Sequence, residues 1–334
     1  MILFGIINSC FLMGQTSLED SIVSSILNFS ERALYEARFE EAKAIVNLSY
    51  FKNFKGYKIE HEILLSVQKL RIDGIANNVF NKGTDHRENL NTLLKFLPDS
   101  KEVEDTEVLG DLFFALSQAY RSHNNIDSSL IYRNKSLHIF ESTGNFEKIA
   151  ELRAYDISVK HNMLLQRGER DKILELIPEY EKEIKASNLC SKYVLAYNTR
   201  HLAQIHRRQT LDYEKALQLF KWSLDLRLEI GFKPYLPASY SSLGDVYMKM
   251  GEDKLAIEMY AESSKLAEEI GFIRFQLYPN LQIGDIYLNK QQTEKAYEYY
   301  LKALKLASKN NFSLGIDQSI ERIKKLNTTR YKMN

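Results

Sequence analysis

Proline is nearly missing from this chain, with five in 334 residues, and glycine is sparse at 14. Strand-rich folds turn often and spend Gly and Pro on their turns, so this scarcity argues for long helices joined by short connections. Two cysteines, Cys10 and Cys190, give neither a disulfide framework nor a zinc-ligand spacing. The cysteine count therefore fixes no compartment, and Cys190 reads as a half-buried helix residue. Charge of one sign is lacking too: 45 basic residues face 44 acidic ones. That balance argues against a nucleic-acid footprint, which needs a basic face. Also absent are a His-Glu-x-x-His pair, a glycine-rich phosphate loop and a Gly-x-Ser-x-Gly elbow. His201 and His206 are five apart and so fall on different helical faces, and His206 reads as a packing residue. The chain is accordingly read as non-enzymatic, with no catalytic residue, metal site or cofactor.

Residues 1–16 carry no charge, whereas the segment from Ser17 is acidic and helix-like. An apolar run of this length suits a signal-peptide core and is too short to span a bilayer. A basic leading segment is missing. Three readings stay open: a secretory leader cleaved near residue 15, a lipoprotein leader with Cys10 as the anchor in Ile7-Asn8-Ser9-Cys10, and a buried first helix. The first two place the protein outside the cytoplasm, in a periplasm or secreted; the third leaves it cytoplasmic.

What is present is a forty-residue echo. Leu243-Gly244, Tyr247, Gly251, Ala256 and Tyr260 recur as Ile283-Gly284, Tyr287, Gln291, Ala296 and Tyr300. A weaker copy lies upstream at Leu202-Ala203, His206, Ala216 and Phe220. The joints repeat as Glu229-Ile230-Gly231-Phe232 and Glu269-Ile270-Gly271-Phe272, then as Asn311-Phe312. A fixed period of this size means stacked helical hairpins, each packed on its neighbours.

Hydrophobic periodicity extends the hairpins over the chain: 18–37 with 38–53, 59–80 with 85–97, 105–123 with 126–142, 147–167 with 170–187, 190–208 with 212–229, 237–250 with 252–270 and 277–290 with 292–309. A charged helix over 313–327 would cap the stack, with a frayed tail beyond it. Pro237 and Pro279 fall in first turns, where the missing N–H costs nothing. Pro178 falls inside a helix and should kink it. Asp99 to Asp105 is an acidic break and the candidate hinge. The expected division is a leader over 1–16, divergent helix pairs over 17–98, a repeat array over 99–310 and a capping helix and tail over 311–334.

The repeat positions follow packing chemistry. Gly244, Gly284 and Ala203 let the first helix of a pair approach the second, Ala256, Ala296 and Ala216 do the same from the other side, and the aromatics fill the remaining space. This pattern resembles the tetratricopeptide repeat family. The likeness is good over 190–310, moderate over 105–187 and weak over 18–98. The family's usual period is about 34, and the extra residues here fall at the end of the second helix and the joint after it. Long repeats of this style occur in bacterial peptide-sensing regulators and signalling sensors. The resemblance implies an all-α, right-handed superhelical solenoid of antiparallel helix pairs, about seven pairs plus the C-terminal cap.

It also implies that the first helices of successive pairs line a concave groove that binds protein or peptide. On this chain the groove positions become Phe114, Gln118 and Arg121, then Tyr155, Ser158 and Asn162. They continue as Tyr197, Arg200, Gln204 and Arg207, then Ser241, Asp245 and Met248, then Tyr278, Leu281, Asp285 and Leu288. Amide and arginine side chains suit a peptide backbone, and aromatics add flat contact area. Asp245 and Asp285 stand where the family's carboxylate clamp would have Asn, which excludes a chaperone-tail binder of that type. Charge reversal at Arg200 and Arg207 is expected to weaken an acidic partner.

The reading that results is a protein- or peptide-binding scaffold or sensor module in a bacterial cell envelope. The alternative is a cytoplasmic peptide-responsive regulator whose N-terminal helices act on a response regulator or DNA. Those helices lack a convincing basic recognition helix.

Overall fold

The computed structural model describes residues 18–47, 57–80 and 86–333. Residues 1–17, and with them every reading of the leader and of Cys10, lie outside the described residues. Among the described residues the chain is helical with no strand, and successive helices pack as antiparallel pairs, in line with the expected all-α class. The helices are α1 (Leu18–Tyr35), α2 (Phe39–Ile45), α3 (Ile59–Phe80), α4 (His86–Leu94), α5 (Thr106–Ser122), α6 (Ile126–Thr143), α7 (Phe146–Arg167), α8 (Arg170–Leu174) and α9 (Leu176–Ser187). They continue with α10 (Lys192–Ile205), α11 (Tyr213–Glu229), α12 (Leu236–Lys249), α13 (Asp253–Ile270), α14 (Ile273–Asn289), α15 (Thr293–Lys309) and α16 (Ser313–Met333).

The chain divides into two compact units, with the main division between Tyr155 and Asp156, inside α7. In the first unit, Ile63, Leu93, Val103, Leu112 and Leu116 share one core. The acidic segment read above as a hinge lies within this unit. Val103 is buried in its core, and the Glu104 N–H donates to Glu60 Oε1 at 2.8 Å. Gly110 on α5 sits where an added Cβ would lie 2.6 Å from the Phe140 ring on α6, so here too a glycine lets two helices meet.

In the second unit the repeat explains the packing. A Cβ on Gly244 would fall 2.7 Å from the Tyr260 ring, and one on Gly284 would fall 2.4 Å from the Tyr300 ring. Ala256, Ala296, Tyr260 and Tyr300 are fully buried, as are Ala203 and Ala216. A second device recurs that the hydrophobic pattern does not reveal. A serine on the outer helix donates to a carbonyl of its inner partner: Ser136 to Gly110 at 2.8 Å, Ser223 to Ala196 at 2.6 Å and Ser263 to Pro237 at 2.7 Å. Each spends a hydroxyl on a buried bond rather than leaving it unpaired.

Several boundaries differ from the sequence expectation. The helix expected over 170–187 is broken at Glu175, because the Pro178 ring removes the N–H that would have bonded the Leu174 carbonyl. α14 begins at Ile273 rather than at 277, so Pro279 lies inside it, and the Phe275 carbonyl loses its usual donor. α10 ends at Ile205 and passes into a π turn over His206–Thr210, closed by Leu211 with φ +58°. Cys190 lies in the turn before α10 rather than in a helix, and α16 continues as helix through Met333 where fraying was expected.

Candidate binding groove

α10, α12 and α14 are the inner helices of three successive pairs in the second unit. Together with the π turn, α8 and the start of α16 they enclose a groove of about 950 Å3. Asp245 on α12 is its electrostatic centre. Its carboxylate accepts from Tyr260 Oη at 2.8 Å, from Tyr278 Oη at 3.0 Å and from Arg207, giving donors from both neighbouring pairs and from its own. Arg207 is oriented from behind by Gln204, whose Oε1 accepts at 2.9 Å. Burial, reinforced by the Asp245 charge, pushes both tyrosine hydroxyls well above their ordinary range, so both remain protonated donors.

The same arrangement recurs one repeat later. Asp285 accepts from Tyr300 Oη at 2.7 Å and from Arg322 of α16, whose guanidinium reaches both carboxylate oxygens at 3.0–3.1 Å. The tyrosine keeps the repeat register, whereas the arginine comes from the preceding pair in one case and from the capping helix in the other.

Behind the groove, α7, α9 and α10 bring His161, Tyr180 and His201 into one aromatic cluster. Tyr180 and His201 stack with centroids 6.0 Å apart, and Tyr197 lies 4.5 Å from His201. Burial lowers His161 to about 4 and drives His201 well below the ordinary imidazole range, so both are neutral at pH 7. Arg227 is also buried, donating to Ser239 Oγ and to the Tyr235 carbonyl. Burial and the nearby Arg200 charge lower it to about 9.

The structure brings Arg200, Gln204, Arg207, Ser241, Asp245 and Tyr278 to one groove. Met248 sits beneath it, its Sδ 4.0 Å from Tyr260 Oη. Asp285 and Leu288 line a separate small cavity of about 250 Å3 beside Arg322. Tyr197 packs among the histidines and bonds Ser158, which is itself buried. Leu281 is 1% exposed and belongs to the core. Phe114 is likewise buried, edge-on to Tyr155 at 5.7 Å. Gln118 and Arg121 are half-buried on α5, and Asn162 is exposed on α7; none of the three lines the groove.

The groove also holds cations that the repeat mapping missed: Arg170, Arg208, Lys249 and Arg274. Lys249 is one helical turn after Asp245 and was legible from that spacing. Arg208 was hidden by the π turn, and Arg274 by the early start of α14. Among the described residues, no group of three or more His, Cys, Asp and Glu side chains could hold a metal, and no helix is long and apolar enough to cross a membrane.

Tetratricopeptide repeat profiles match residues 193–269 and 279–310, which include the groove residues Arg200, Gln204, Arg207 and Asp245. These helix pairs carry tetratricopeptide repeats. Its fold is similar to that of BtubC (BKLC) from P. vanneervenii, with 14% identity and a TM-score of 0.55 over 69% of this chain and 93% of that one. It is also similar to a Signal Transduction ATPase with Numerous Domains protein with a tetratricopeptide repeat sensor from Pyrococcus horikoshii. That match has 13% identity and a TM-score of 0.56 over 95% of this chain and 53% of that one. At such identities the likeness is one of fold. No curated protein matches the sequence.

Proposed function

We propose that this chain is a non-enzymatic scaffold or sensor module that holds a segment of a partner protein in the groove of its second unit. The observation that carries the reading is the groove itself. Inner helices of three repeats converge on one space, and the polar side chains facing it include a carboxylate already saturated by three donors. Repeat grooves of this form take extended or helical segments. The test is a photo-crosslinking residue placed at Gln204 or Gln318, both lining positions, followed by mass spectrometry of the native complex. Crosslinks from both sites to one continuous partner segment are expected. Partners captured only by probes outside the groove would refute the assignment.

The cellular setting proposed is a bacterial envelope, supported by the uncharged run at residues 1–16. N-terminal sequencing of the native protein tests it: a first residue near 15, or an acylated Cys10, is expected. An intact Met1 would favour the cytoplasmic regulator instead. That second reading draws support from the repeat matches lying wholly in the second unit, which leaves the first unit available for an effector role.

A further inference from the structure

The formal charge of the whole chain is +1, yet the groove is strongly one-sided. Six cations line it, Arg170, Arg200, Arg207, Arg208, Lys249 and Arg274, against the single carboxylate Asp245. That carboxylate is consumed internally by Arg207, Tyr260 and Tyr278. Among the described residues the other five cations make no ion pair. Arg208, Lys249 and Arg274 are exposed around the opening, while Arg200 is half-buried between them and Arg227. Burial and the neighbouring guanidiniums of Arg208 and Arg207 disfavour the Arg200 cation. The free groove therefore holds six cations against one carboxylate, and a bound anion would relieve the excess of like charge.

Its rim is not purely ionic. Leu211 is 58% exposed and Leu314 51% exposed, with Leu165, Phe275 and Tyr213 beside them. Apolar side chains and cations line the same opening.

We propose that the occupant is an acidic segment of a protein partner, bearing several anionic side chains interspersed with aliphatic ones. This inference rests on the groove being the binding surface. Arg200, Arg208, Lys249 and Arg274 take the anionic groups, and Leu211 and Leu314 take the aliphatic ones. Arg207, expected from the sequence to share this task, is instead committed to Asp245. The anionic groups can be carboxylates or phosphoserines. A nucleic-acid strand fits less well, because a fixed carboxylate sits among the groove's cations and exposed leucines line its opening.

The experiment selects binders from a displayed library of random 16-residue peptides, using the full chain, the triple variant Arg208→Glu/Lys249→Glu/Arg274→Glu and the groove-obstructing variant Gln318→Trp. The three charge-reversed side chains are exposed and make no ion pairs, so an unchanged melting temperature certifies the triple variant's fold. Enriched peptides should be rich in Asp and Glu with interspersed Leu, Ile or Val. A synthetic copy should bind on the order of a hundredfold more weakly to the triple variant. Its Gln/Asn counterpart should lose affinity comparably. A phosphoserine counterpart that binds more tightly than the Asp/Glu form would identify phosphate as the anion source, and weaker binding would identify carboxylate. Neutral or basic peptides that are blocked by Gln318→Trp but indifferent to the triple variant would overturn the acidic partner and leave the groove assignment standing. No enrichment, or enrichment indifferent to both variants, would overturn both. Displacement of the peptide by an equal concentration of a single-stranded oligonucleotide would overturn the protein-segment assignment.

Discussion

Tyr260 Oη donates to Asp245 at 2.8 Å, joining the outer helix of one repeat to the inner helix it packs against. Tyr300 and Asp285 make the same contact at 2.7 Å in the following repeat. The tyrosine ring fills the space left by Gly244 or Gly284, and its hydroxyl anchors the carboxylate that organises the groove. Packing and site geometry therefore depend on one side chain.

Removing that hydroxyl separates the two duties. Tyr260→Phe keeps the ring in place but takes one donor from a buried, charged acceptor, a change worth about 1.5–3 kcal/mol. Urea unfolding of the variant should show that loss. Tyr300→Phe should cost less, because Asp285 is more exposed and retains Arg322 on both oxygens. Equal stability of Tyr260→Phe and wild type would show that the bond contributes nothing.

The glycine at each crossing is a steric requirement. Gly284→Ala places a methyl 2.4 Å from the fully buried Tyr300 ring, so one helix must move. A loss of about 1–3 kcal/mol is expected, as for other overpacked cores. Adding Tyr300→Leu makes room for the methyl, so the two costs should fall short of additive in a double-mutant cycle. Strict additivity would mean that the two residues do not share the crossing.

Acid should weaken the second unit before most carboxylates titrate. His161 is held at about 4 by burial and then by the Arg208 charge, against 6.5 in the unfolded chain. Between those values the unfolded state takes up a proton that the native state refuses. Stability is therefore complete above pH 6.5 and falls as pH drops towards 4, by up to about 3 kcal/mol for this one group. His161→Phe should flatten the dependence between pH 7 and 5, measured by denaturant midpoints at each pH. An unaltered slope would show that His161 does not drive it.

Gln291 occupies the left-handed position that Gly251 holds one repeat earlier, with φ +60° against +81°. A side chain there carries backbone strain that glycine avoids. Gln291→Gly should therefore raise stability by about 1 kcal/mol. Gly251→Ala should lower it by a similar amount. Thermal melting checks both, and a lower melting temperature for Gln291→Gly would contradict the strain argument.

Much of the fold was legible because helix periodicity and repeat spacing are local. The forty-residue echo located Gly244, Gly284, Tyr260 and Tyr300 at their crossings, since a helix exposes a residue's face through its spacing alone. Helix ends were less legible where a competing backbone feature intervened. The π turn after Ile205 and the early start of α14 at Ile273 are set by how neighbouring pairs pack, and that information is not in the segment itself. The expected groove positions show the same split. Arg200, Gln204, Asp245 and Tyr278 share one space, whereas Phe114 and Leu281 are buried because helix spacing gives a direction and not the depth of the neighbour above.

By itself the sequence determined the helical class, the hairpin period and the small-against-aromatic crossings, because these depend on residue size at fixed helical spacing. Only the tertiary structure decided which charges are spent and which remain. Arg207 and Arg208 are adjacent in sequence, yet one is locked to Asp245, 38 residues away, and the other faces the groove without an ion pair among the described residues. That difference arises from the turn that aims the two side chains and from the burial that makes one carboxylate accept three donors, and both are properties of packed repeats rather than of any single one.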